Sequence, residues 1–217
     1  MESPASRRPD RRRLRTRTAL LHAGRALLAT RDIDGISIDE IVAAADVAKG
    51  SFYNHFADKE SFAREIGAAV RTEAERLAVG ANTGVTDPAA RVARGLCVFL
   101  RFAIEHPDSA KALWRLNPGS TMADAPINRN LRDDLMRGIR ARRFAAVDLE
   151  IGLLLVMGAV VIAMRHVLEE RVATPPGSIA AQMAGGLLRS LGLTAAEARR
   201  IADSAARYIF PFRSRTP

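Results

Sequence analysis

Apolar residues recur every three to four positions along most of this 217-residue chain, and no stretch alternates with the period of two that marks a strand. The spacing predicts an all-α fold of about ten helices. A first helix is predicted over 11–30, with Leu20, Leu21, Gly24, Leu27 and Leu28 facing in. Two short helices follow at 37–45 and 49–55, then a long one at 58–79. Asn82, Gly84 and Pro88 break the pattern and start a second set. That set is predicted at 88–105, in a short stretch ending near Leu116, and at 127–144, 147–171 and 178–191. The segment 117–126 is rich in Pro, Gly, Ser and Asp and reads as a loop. Thr194, with Glu197 three residues on, predicts a capping box for a last helix ending near Phe210.

The segment 37–59, SIDEIVAAADVAKGSFYNHFADK, carries the most detailed signal. Ser37 can cap a helix, and Glu40 completes a capping box. Ile38, Ile41, Val42 and Ala45 make one apolar face. Asp46 falls at the turn, where a short polar side chain tolerates the left-handed conformation. Val47 fills the angle between the helices. Lys49, Gly50, Ser51, Tyr53, Asn54 and His55 then gather hydrogen-bonding groups around a small residue, while Phe52 and Phe56 face inward. Asp58 is placed as the cap of the next helix, with Lys59 in its first turn. This is the layout of a helix-turn-helix, whose second helix enters the DNA major groove.

From about Leu20 to Ile66 the chain resembles the DNA-binding domain of the TetR family of transcriptional regulators. The resemblance rests on an Ala-rich first helix, on Ser37, on a turn closing at Val47, and on the string KGSFYNHF with DKE two residues later. A bare helix-turn-helix pattern is weakly specific; the joined string is far more so. Asp32 and Asp46 stand where the family favours Gly, and Ala48 stands where it favours Ser. Losing a capping hydroxyl typically costs ~1 kcal/mol.

The resemblance implies a disordered basic arm at 1–10, a helix-turn-helix domain at 11–66, and a helical effector-binding and dimerisation domain at 67–217. It implies that Lys49 and Lys59 contact phosphates and that Ser51, Tyr53, Asn54 and His55 face the groove, with the DNA backbone as the alternative contact for Tyr53 and His55. Gly50 allows close approach, and Ser37 belongs to the same contact set. The implied function is a ligand-responsive transcriptional regulator: a repressor that binds a palindromic DNA operator as a homodimer and leaves it when a small-molecule effector binds. The effector would tilt the fourth helix and change the spacing between reading heads. No enzyme activity, cofactor or metal is expected. An activator of the same fold, an enzyme in the C-terminal domain and a nonspecific DNA-compacting protein are the alternatives.

Charge sharpens the expectation of a polyanion partner. The formal net charge is +9, and residues 1–31 hold nine Arg against Glu2 and Asp10, a local net of +7. An arm there adds sequence-independent phosphate affinity; a solvated tail is the plain alternative. Cys97 is the only cysteine, which excludes an intramolecular disulfide and suits a reducing cytoplasm. The arginine cluster is followed by no apolar region of the secretory kind. The longest apolar run, Ile151 to Met164, is 14 residues. That is short of the ~20 needed to cross a membrane, so a buried helix and no membrane contact are expected.

Other chemistry is sparse. His22, His55, His106 and His166 fall in no metal-binding spacing, and no nucleophile elbow or phosphate-binding loop occurs. Asp133-Asp134 and Glu169-Glu170 are adjacent, so their carboxylates leave a helix in different directions. The predicted eighth helix is apolar nearly all round and needs burial on several sides. Gly152, Gly158 and Ala159 on it, with Ala180, Ala184 and Leu188 on the ninth, are the expected dimer interface; an internal core is the other reading. Phe99, Phe102, Trp114, Met122, Met136, Met157 and Met164 are candidates for an effector cavity or plain core. Arg101, Arg115, Arg140 and His166 would suit an anionic effector or a solvated surface.

Overall fold

The computed structural model describes residues 7–116, 128–168 and 173–211, without the side chains of residues 7–10 and Trp114. It is all-helical, with ten α-helices among the described residues. They are α1 (Arg7–Leu28), α2 (Ile38–Ala44), α3 (Lys49–Tyr53), α4 (Lys59–Ala81), α5 (Pro88–Glu105), α6 (Pro107–Arg115), α7 (Arg129–Arg140), α8 (Leu149–Val167), α9 (Pro176–Ser190) and α10 (Ala195–Ile209). The chain divides into two compact units. In the described residues these are 7–71 with 108–116, and 72–107 with 128–168 and 173–211.

In the first unit α1 begins at Arg7, four residues ahead of the expected start. Residues 7–10 of the expected arm are therefore helical, and residues 1–6 lie outside the described set. Pro9 falls in the first turn, where its missing N–H breaks no helical bond. Leu20, Leu28, Ile36, Ile41, Phe52, Phe62 and Ile66 are fully buried. Burying a side chain of this size is worth ~1.5–3 kcal/mol. Gly24 sets how closely α1 lies to α4, since a Cβ there would meet the Phe62 ring at 2.2 Å.

The expected signals shape α2 and α4. Ser37 and Glu40 form both halves of the capping box. Asp46 adopts φ 53°, and Val47 N–H reaches the Val42 carbonyl at 3.0 Å, so α2 closes in a Schellman turn. Asp58 caps α4 by accepting from Ser61 N–H at 2.6 Å. α6, expected in the C-terminal domain, belongs to this first unit from Asp108 on. Arg25 Nη1 donates to Ser109 Oγ at 3.1 Å, and Arg115 Nη1 donates to the Leu28 carbonyl at 2.9 Å. α4 contributes to both units, up to Arg71 in the first and from Thr72 in the second.

The second unit is built around α5, which packs against α7, α8, α9 and α10. Ala89, Val92, Ala93, Leu96, Cys97, Leu100 and Ala103 of α5 are buried at helical spacing. Asp87 caps α5 by accepting from Ala89 N–H, and Pro88 occupies its first turn. α7 ends at Arg140 and not near Phe144 as expected. Arg142 takes φ 53°, Arg143 N–H bonds the Gly138 carbonyl at 2.7 Å, and Phe144 folds back. Its ring lies 2.2 Å from where a Gly138 Cβ would stand, so only glycine admits that reversal. Gly192, at φ 108°, closes α9 in the same kind of turn. Thr194 accepts from Glu197 N–H at 3.4 Å, as expected, while the Glu197 carboxylate pairs with Arg143 at 2.8 Å. Arg143 also pairs with Asp87, so one guanidinium joins the starts of α5 and α10.

α8 runs from Leu149 to Val167, past the 14-residue apolar run. By length and composition it could cross a membrane, a test that core helices also pass. About a third of its most apolar window is buried in the chain, 33%. Burial on several sides, expected from the sequence, is therefore incomplete within one chain.

Candidate nucleic-acid interface

The surface around α3 is set by its buried face. Phe52 is fully buried, with its ring 5.5 Å from Phe56 and 5.3 Å from Phe62; Phe56 and Phe62 are 4.8 Å apart. Fixing Phe52 inward turns Lys49, Gly50, Tyr53 and Asn54 outward. Residues 49 and 53, like 50 and 54, are neighbours four apart on the helix surface. Tyr53 is 54% exposed, with its ring edge-on to Phe52 at 5.6 Å. A Cβ on Gly50 would meet nothing, so the backbone there is open to a close approach. Ser51 and His55 are half-buried at the border of this patch. Ala48 caps α3 without a side-chain bond, as its identity requires.

The other candidate contacts are already engaged. Ser37 Oγ accepts from Glu40 N–H at 3.2 Å and donates to Glu40 Oε2 at 2.9 Å. Lys59 Nζ donates to the carbonyls of Ile36 at 3.0 Å and Asp34 at 3.4 Å, tying α4 to the turn before α2. Lys49 Nζ lies 2.8 Å from Asp39 Oδ1 and 3.0 Å from Oδ2. The ion pair raises the lysine pKa above its usual value. Glu40 is held down to about 2, first by the Ser37 backbone N–H and then by Arg31. Burial, then the charges of Arg13 and Arg17, push His55 below the ordinary histidine value, so it is neutral near pH 7.

Sequence reasoning missed two features of this surface. Arg13 and Arg17 of α1 lie close enough to act on His55, so the basic end of α1 flanks α3. Their four-residue spacing puts them on one helix face, which was the available signal. Arg17 also pairs with Glu65 and stands over the Phe56 ring at 5.6 Å. Asp39 is the second: Glu40 carries the capping signal, while Asp39 pairs with Lys49 at the start of α3.

The candidate effector residues do not converge on one described cavity. A cavity of about 450 Å³ in the second unit is lined by Leu77, Val98, Phe102 and Tyr208, with Arg101 and Glu105 at its polar side. Of the candidates, Phe102 and Arg101 border it. Met164 is buried, Phe99, Met136 and Met157 are half-buried, and the Trp114 side chain and Met122 lie outside the described residues. Arg101 is paired with Glu105 at 2.8 Å, and Arg115 is bonded to Leu28 in the first unit. Arg140 and His166 are exposed.

The candidate dimer residues separate into two groups. Gly152, Ala180, Ala184 and Leu188 are buried within one chain, so their placement at an intersubunit surface is corrected. Gly152 faces Leu135 of α7, and α9 packs chiefly on α10 and α5. Gly158 is exposed with nothing around it, and Ala159 is half-buried. Small residues on α9 thus serve close packing inside the chain.

Comparisons with known proteins agree with this architecture. A family model described as tetracyclin repressor-like, C-terminal domain, matches residues 87–204. A second, for bacterial regulatory proteins of the tetR family, matches residues 20–66. The HTH-type transcriptional repressor DhaR of Mycobacterium sp. (strain GP1) is 42% identical over 50 residues, 23% of this chain. That match spans 25% of DhaR. The ligand-free structure of RolR is 27% identical, with a TM-score of 0.58 over 85% of this chain and 95% of that one. RolR bound to resorcinol is 26% identical, with a TM-score of 0.56 over 89% and 95%. A gamma-butyrolactone receptor, ArpA-like, shares the fold, with a TM-score of 0.69 at 22% identity over 91% and 98% of the chains.

Proposed function

The chain belongs to the TetR family of bacterial transcriptional regulators, and we propose that it is a ligand-responsive repressor that binds a palindromic operator as a homodimer. The exposed patch of Lys49, Gly50, Tyr53 and Asn54 on a buried aromatic platform carries this reading. Hydrogen-bonding groups on a rigid element can meet base edges with little ordering cost, which is what direct readout needs. Tyr53 and Asn54 face the groove, Ser51 and His55 border it, and Lys49 reaches a phosphate. Ser37 and Lys59 contribute by fixing α2 and α4, and each reaches DNA only by exchanging its present bonds. The arginines of α1 add phosphate affinity beside α3.

Two reading helices need a second copy. On α8, Ile151, Leu154, Gly158 and Ile162 are exposed at spacings of three, four and four residues, one apolar stripe along the helix. We assign the pairing of two copies to this stripe and Gly158. An effector in the second unit would act through α4, which continues unbroken from that unit into the first. It must bind the released and DNA-bound states unequally to shift between them. The resorcinol complex of RolR makes that phenol the first compound to test.

Selection of bound sequences from random duplex DNA tests the reading. Enrichment of an inverted repeat is expected, with half-sites about one helical turn apart, ~34–36 Å. A failure to enrich any sequence would contradict it.

A further inference from the structure

We infer that Asp39 competes with DNA for Lys49 and so tempers the affinity of the reading helix. This rests on the DNA-binding reading above. Lys49 is the first residue of α3, and its ammonium is gripped by both carboxylate oxygens of Asp39, at 2.8 and 3.0 Å. Asp39 has no capping duty, since Glu40 closes the box with Ser37. The pair is solvent-exposed, with 57% of the lysine and 69% of the aspartate side chain accessible. It stands four residues from Tyr53, on the exposed side of α3.

The placement runs against the charge of the chain. The protein carries a net charge of +9, yet a carboxylate stands at the edge of the surface that meets a polyanion. Left alone it would repel phosphate. Paired, it removes one of the positive charges that phosphate would otherwise meet. Contact between Lys49 and a phosphate requires the ammonium to leave Asp39 and the carboxylate to be resolvated. Exposed pairs of this kind are weak. The competition is therefore graded: it lowers affinity without forbidding binding. It acts on phosphate contact, so it weakens operator and non-operator duplexes alike.

A double-mutant cycle reads the competition directly. Wild type, Asp39→Asn, Lys49→Ala and the double variant are titrated with the selected duplex and with a scrambled duplex of equal length. Asp39→Asn is expected to raise affinity for both duplexes by about two- to fivefold per reading head. In the Lys49→Ala background most of that gain should vanish. An equal gain in both backgrounds would mean that Asp39 merely repels DNA, and would overturn the inference. A loss of affinity, or no change, in Asp39→Asn would overturn it too, showing that the pair props α3 against α2. In these outcomes wild type still binds, so the DNA-binding reading survives. Wild type that binds neither duplex would overturn both.

Discussion

At α3 a tyrosine more than half exposed stands beside a phenylalanine that is fully buried. The burial gives rigidity and the exposure gives reach. Tyr53→Ala removes the reach and leaves Phe52 in place. It is expected to weaken binding of the selected duplex by about 1–3 kcal/mol if the ring meets a base, with an unchanged thermal melt. Gel-shift titration and circular dichroism check the two halves. His55 is a second residue with a measurable signature. Its folded pKa lies below the ordinary 6.5, so the unfolded chain takes up a proton more readily than the folded one. The associated stability is intact above 6.5 and declines as pH falls below it. His55→Gln should flatten that slope in urea-unfolding midpoints measured from pH 7.5 down to about pH 5. An equally steep slope in the variant would contradict the assignment. Both residues were legible in KGSFYNHF as polar groups on a short helix. The electrostatic setting of His55 was not, because part of it comes from Arg13 and Arg17, which lie on another helix.

Helix ends separate what local sequence dictates from what tertiary contact decides. The α2 box and the Asp46 turn follow from residues within one helix of each other, and the sequence predicts both. The end of α7 does not. Phe144 fits the apolar period of a longer helix, and only its packing on Gly138 reverses the chain. The left-handed Arg142 left no trace in the pattern. Two substitutions test these ends and contacts by denaturant unfolding. Arg142→Gly relieves the left-handed side chain and should stabilise the protein by roughly 0.5–1 kcal/mol. Gly24→Ala places a methyl against Phe62 and Ile66 and should destabilise it by about 1–3 kcal/mol. A neutral Gly24→Ala would mean that α1 and α4 are not locked together.

Over the whole molecule, helix content and the second set of helices were readable because amphipathic spacing survives in one sequence. The division of small residues between core and interface was not, since Ala and Gly serve either equally well. Ala184 is fully buried and Gly158 faces open space, although both sit on late apolar helices. Ala184→Leu should therefore lower stability by overpacking, about 1–3 kcal/mol. Gly158→Leu should leave the folded chain intact and shift light scattering towards the monomer. A dimer that tolerates leucine at Gly158 would move the pairing surface elsewhere. We propose that DNA is held by α3 and its flank on α1. Amide hydrogen exchange with and without the selected duplex reads this surface. Slowed exchange is expected across 49–54 and the basic part of α1, with little direct protection on α5 or α10. Protection that omits 49–54 while appearing on the second unit would contradict it.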